Sequence, residues 1–279
     1  MKWIIGVLGA LVLAGLSALA ADPKMDAYCL LQSAHDHLRH THAGRRCIHY
    51  AATRSDTAAI DASVQAGVPV DAATADSATA LALAAGHGRL AAVKYLLAHG
   101  ARIGGSGDSE TPLYRAAAHG HPAVVRALIA ADANVDARNA HGRTALWINA
   151  ARSPTENTEI AHSLVNAGAT IDAADAAGDT PLMAAARAGN ADLVGYFMAH
   201  GADAGHRNRA GGTALLAAIR HDHAESVRQL LARGADPAAP VHGVTPLEAA
   251  RSRGSGNIVR LLQANLGRAW PAADQRPSK

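Results

Sequence analysis

The sequence predicts an all-α solenoid, a row of helix pairs stacked one on the next, and three observations predict it. Six segments begin with Thr, then Pro or Ala, then Leu, at Thr79, Thr111, Thr144, Thr180, Thr213 and Thr245. The steps between them are 32, 33, 36, 33 and 32 residues, a period typical of stacked helical repeats. The composition agrees: 49% of residues are hydrophobic but only 3% aromatic. Apolar mass therefore comes from Ala, Leu, Val and Ile, and a core of small residues demands close backbone approach.

Each position within the repeat has a physical role. Thr is an N-cap whose hydroxyl accepts an orphan backbone N–H, and Pro suits the first helical position because its missing donor is not needed there. Small residues follow four to six positions on, such as Ala84-Ala85, Ala116-Ala117 and Ala185-Ala186, and let two helices approach closely. Val93, Val125, Val194, Val227 and Val259 stand fourteen positions after their Thr. Large apolar pairs come next (Leu96-Leu97, Leu128-Ile129, Leu164-Val165, Phe197-Met198, Leu230-Leu231), filling the space between layers. Gly-Ala then closes the second helix at Gly100, Gly168, Gly201 and Gly234, supplying a left-handed C-cap. Asp132 takes that place in the second repeat, where Asp tolerates the left-handed conformation better than most residues. Each unit is a helix, a turn and a second helix, and none could bury its apolar face alone.

This pattern resembles the ankyrin repeat. Gly178-Asp179-Thr180-Pro181-Leu182 through Gly201-Ala202-Asp203 is similar to the family consensus, and the resemblance covers about 220 residues, from Arg46 to roughly Asn265. The family's His after Thr-Pro-Leu is absent from all six copies, replaced by Ala82, Tyr114, Trp147, Met183, Leu216 and Glu248. That implies the weakening of one hydrogen bond between repeats. The ends look like caps. Arg46 to Ala52, followed by Ile60, Val64 and Gly67, forms a seventh, degenerate N-terminal repeat, and Gln263 takes an apolar position where no further copy stacks. The third repeat carries three extra residues within Ser153 to Glu159, between its helices. They form either a tolerated loop extension or a contact loop for a partner.

Outside the array the chain divides into three pieces. Met1-Lys2, an uncharged run from Trp3 to Ala20, and Ala18-Leu19-Ala20 before Ala21-Asp22-Pro23 form a secretory signal peptide over residues 1–20. The rival reading is an uncleaved anchor, since about 18 apolar residues can span a bilayer. The Ala-x-Ala ending and the Asp-Pro that follows favour cleavage, and with it a soluble chain in the periplasm or outside the cell. Residues 21–45 are a His-rich preamble, helical from Lys24 to about His40, and residues 266–279, with two Pro and few large apolar residues, are a loose tail.

The preamble offers two chemistries. His35, His37, His40, His42 and His49 fall within fifteen residues, and His37 and His40 share a helix face. No second ligand pair of known spacing accompanies them, so metal binding by His37 and His40 is a weak alternative to a solvated segment. Cys29 and Cys47 are the only cysteines, and an oxidising compartment makes them one disulfide, tying preamble to first repeat.

Several function classes are excluded. No nucleophile elbow, HExxH, P-loop or dinucleotide fingerprint occurs, and Gly104-Gly105-Ser106-Gly107-Asp108 lies in a turn between repeats. A formal net charge of +3 and scattered aromatics do not fit a nucleic-acid binder. Catalysis and cofactors are therefore not expected, nor a membrane partner after cleavage.

One column of residues points to a partner. Eight positions after each Thr stand His87, His119, Arg152, Ala188, His221 and Arg253, with Arg187 and Arg220 one place earlier. Family geometry implies that they end the inner helix and face a concave groove. They are either cations that favour a helix C-terminus or a basic recognition strip. The resulting expectation is a monomeric, exported scaffold that binds an acidic protein surface through His87, His119, Arg152, Arg187, Arg220 and His221. His141, Arg143, Asp179, Arg209 and His242 are expected on the rim. Exported bacterial members resemble two kinds, helpers of stress defence (peroxide detoxification included) and neutralisers of toxins passed between cells.

Overall fold

The computed structural model describes residues 42–75, 77–104, 110–152 and 158–266. Fourteen α-helices occur among them, in seven consecutive pairs. These are α1 His42–Arg54 with α2 Thr57–Gln65, α3 Ala80–Gly86 with α4 Leu90–Ala98, α5 Pro112–His119 with α6 Pro122–Ala130, and α7 Ala145–Ala150 with α8 Thr158–Asn166. Then come α9 Pro181–Ala188 with α10 Ala191–Ala199, α11 Ala214–Arg220 with α12 Ala224–Ala232, and α13 Pro246–Arg253 with α14 Gly256–Leu266. The odd-numbered helices pack on one another in an inner row and the even-numbered ones in an outer row. No strand forms among the described residues, only two isolated bridges, Ala73 with Thr79 and Val241 with Val244.

The caps form as the sequence dictates. All six Thr accept a hydrogen bond from the backbone N–H three residues on, at 3.1–3.4 Å. Each such cap is worth about 1 kcal/mol, enough to matter for inner helices of only six to eight residues. At the other end Gly100, Gly168, Gly201 and Gly234 adopt positive φ, and Asp132 does the same at φ 63°.

Packing follows the repeat. Leu81, Leu113, Leu146, Leu182 and Leu215 are buried between the rows, as are Val93, Val125, Val194 and Val227. Leu247 and Val259, in the last repeat, are only partly covered because nothing stacks beyond them; Gln263 is exposed there. The column five places after each Thr is Ala84, Ala116, Asn149, Ala185, Ala218 and Ala250, and all are buried. Asn149 breaks that apolar column, and neither its Oδ1 nor its Nδ2 finds a hydrogen-bond partner.

The degenerate first repeat is present as α1 and α2, with Ile48, Ala52 and Ile60 fully buried and Asp56 capping α2. Its first helix begins at His42, four residues before the register starts at Arg46. Helix α8 begins at Thr158, so Thr158 and Glu159 belong to the outer row and not to the inserted loop. Glu159 pairs with Arg126 of the preceding outer helix. The lost family hydrogen bond is partly replaced. Trp147 Nε1 donates to Asp179 O of the next repeat at 2.9 Å. Glu248 instead closes a local capping box, its carboxylate accepting from the Thr245 backbone N–H at 2.8 Å.

Candidate partner-binding surface

The last turn of an inner helix leaves carbonyls without intrahelical donors, and the following repeat supplies them. Arg89 Nε donates to Thr53 O at 2.6 Å, His121 Nε2 to Gly86 O at 3.0 Å, and His223 Nε2 to Arg187 O at 3.0 Å. Arg152 donates to Ala118 O. Each tie puts a cationic or imidazole group on the negative end of a helix dipole, where it is favoured. Arg89, His121 and His223, ten positions after their Thr, were missed from sequence. Their signal was a column of hydrogen-bonding residues just before the outer helix.

The structure separates the six expected partner-binding residues into two sets. Arg152 lies over Gly120, where an added Cβ would meet its guanidinium at 2.8 Å, and is committed to Ala118 O. Arg187 pairs with Asp179, whose carboxylate is only 7% exposed and also accepts from Asn208 Nδ2 at 2.6 Å. His87, His119, Arg220 and His221 are exposed, and Arg253 joins them one repeat further on. None of these five forms an ion pair with a carboxylate among the described residues.

Imidazoles and arginines of successive repeats are brought within reach of one another. The His119 ring lies 6.5 Å from that of His121 and the His221 ring 6.1 Å from that of His223, each pair stacked. His119 is held below the ordinary imidazole pKa, first by desolvation and then by the cationic fields of His121, Arg152, His87 and Arg115. His221 is lowered in the same way, by desolvation and then by His223, Arg187 and Arg253. The five exposed bases, His87, His119, Arg220, His221 and Arg253, form a set that attracts anions.

The turns differ from expectation at one point. Asp179 is buried, 5% exposed, and cannot sit on a rim; it organises the turn from inside. Arg143 pairs with buried Asp175 at 3.3 Å and lies over the Trp147 ring at 4.2 Å. His242 Nε2 donates to Ala210 O at 2.7 Å, while His141 and Arg209 are exposed at their turns, His141 O accepting from Ala176 N–H of the next repeat and Arg209 N–H donating to Ala177 O of the preceding one. The outer row carries an aromatic file instead of a basic one: the rings of His162 and His200 lie tilted against that of Tyr196, with centroids 4.1–4.2 Å apart. Tyr95 donates to Asp61, which holds its phenol up to about 12.

Cys47 is buried on α1, whereas Cys29, the metal candidates His37 and His40, and residues 1–20, 153–157 and 267–279 lie outside the described residues. Among the described residues no helix is long and apolar enough to cross a membrane.

Two rows of short helices laddered by side chains, presenting exposed residues along one edge, define a helical-repeat binding scaffold. Models of ankyrin repeats match the chain in overlapping blocks: ankyrin repeats in many copies at residues 48–97 and 81–129, and ankyrin repeats in three copies at 148–240 and 182–268. The chain belongs to the ankyrin-repeat family, whose members generally mediate protein–protein interaction and are typically non-catalytic. The ankyrin repeat domain of human ASB11 is 25% identical, with TM-score 0.70, covering 80% of this chain and 98% of that one. Solved structures of similar fold number 496 chains, so the fold alone does not choose a partner. No curated protein matches the chain.

Proposed function

We propose that the chain is an exported, non-catalytic scaffold that binds an acidic surface of a folded protein along the ends of its inner helices. The exposure of His87, His119, Arg220 and His221, none of them in an ion pair among the described residues, carries this reading. Arg152 and Arg187 flank them, shaping the strip while holding the array. The bacterial periplasm is the compartment, supported by the signal-peptide pattern over residues 1–20. There the scaffold acts as a monomer, without cofactor, in stress defence or in toxin neutralisation, and a disulfide between Cys29 and Cys47 fastens the preamble to the first repeat.

The test is affinity capture from periplasm with wild type and with R220A/H221A. Exposed residues on the strip should control dissociation, so the double variant should bind the captured protein at least about tenfold more weakly, about 1.4 kcal/mol, at unchanged melting temperature. A partner that binds both equally would move the site to the outer row or the Ser153 to Glu159 segment. Protein from the periplasmic fraction should begin at Ala21 and show no free thiol when denatured without reductant. An intact leader or two free thiols would overturn the export reading.

A further inference from the structure

We infer that the basic strip takes up its acidic partner together with protons, at His119 and His221, so that binding strengthens as pH falls through neutrality. The inference rests on the strip proposed above and adds its regulation. Two pairs of stacked imidazoles, His119 with His121 and His221 with His223, stand three repeats apart. In each pair the second ring is fixed: its Nε2–H donates to a carbonyl of the preceding inner helix, at 3.0 Å in both cases. Its Nδ1 side is wedged against a left-handed glycine, Gly88 or Gly189, where a Cβ would lie within 2.6 Å of the ring. The first ring of each pair is exposed and available.

The groups around these two rings are arginines and further imidazoles. His119 is faced by His87 at the end of α3, Arg115 on α5, His121 before α6 and Arg152 after α7. His221 is faced by Arg187 on α9, His223 before α12 and Arg253 on α13. Two of these arginines already engage carboxylates, Arg115 with Glu110 at 3.7 Å and Arg187 with Asp179. Asp222 follows His221 in sequence and is exposed, its backbone left-handed at φ 60°. Desolvation and these neighbours therefore disfavour the imidazolium form of both rings relative to a free imidazole. A partner carboxylate would supply a counter-charge to the exposed rings. Placed beside either ring it favours the imidazolium, so the bound-state pKa lies above the free-state pKa. A proton is then gained on binding, and affinity is highest below the free-state pKa and lost as pH rises through the bound-state value.

Poly-L-glutamate is a suitable probe, because its carboxylates stay ionised at and above pH 6. Its affinity for the full chain is measured by calorimetry at pH 6.0 and 8.0, in buffers of different ionisation enthalpy so that proton uptake is counted directly. Wild type should bind about tenfold more tightly at pH 6.0, with net proton uptake between those limits. H119Q/H221Q should bind with most of that pH dependence gone, whereas H162Q/H200Q, on the outer row, should retain it. Tight binding without pH dependence or proton uptake overturns this inference and leaves the strip in place. Equal loss in both double variants also overturns it, since the effect is then one of overall charge. No binding at either pH overturns the acidic-partner reading itself.

Discussion

Replacing Arg187 by Ala separates cations that hold the array from cations that are free to bind. Arg187 and Arg220 occupy the same place in successive repeats, yet only Arg187 has a carboxylate beside it. Its partner Asp179 is 7% exposed at the side chain, while Arg187 itself is 41% exposed. Breaking a fully buried pair by removing one partner costs about 3–5 kcal/mol, because an uncompensated charge stays buried. Here water reaches the arginine side, and Asn208 Nδ2 still donates to Asp179 at 2.6 Å, so the cost falls to about 1–2 kcal/mol. For a domain of this size that is a drop of about 2–8 °C in melting temperature. Arg220→Ala, at an exposed site without a pair, should stay within about 0.5 kcal/mol. Urea unfolding followed by circular dichroism, with the slope of the transition compared between variants, measures both. If R187A is no more destabilising than R220A, Asp179 is not held by its ion pair, and Arg187 belongs with the binding residues.

Asn149→Ala should stabilise the protein by about 1–2 kcal/mol, since it removes two unpaired polar atoms from a column that is otherwise alanine; a lower denaturation midpoint would show that Asn149 has a bonding role. Leu182→Ala, fully buried on the internal inner helix α9, should cost about 2–5 kcal/mol and broaden unfolding by uncoupling the repeats on either side. A loss below about 0.5 kcal/mol, the size expected of exposed positions, would mean that the inner row is packed differently.

The sequence by itself determined the repeat, because what builds each unit is local. A threonine hydroxyl reaches a backbone N–H three residues away, a proline fits the next position, and a glycine turns the chain at the outer helix end. Repetition of those short-range choices then leaves stacking as the way to bury Leu81, Leu113, Leu146, Leu182 and Leu215. Even the substitution of Asp132 for glycine was legible, since its left-handed backbone is a property of one residue. The tertiary structure alone decided which cations remain available. Asp179 and Arg187 are eight residues apart and come together only because the turn folds beside the inner helix, whose side chains lean back toward its N-terminus. In the next repeat Gly212 stands where Asp179 stood, so Arg220 meets no carboxylate. Likewise His121 and His119 differ by two positions, yet one closes a carbonyl of the previous repeat and the other faces solvent. Contacts between copies set that division, and they depend on how closely each helix end approaches the next, a distance that a period of 32 to 36 residues does not specify.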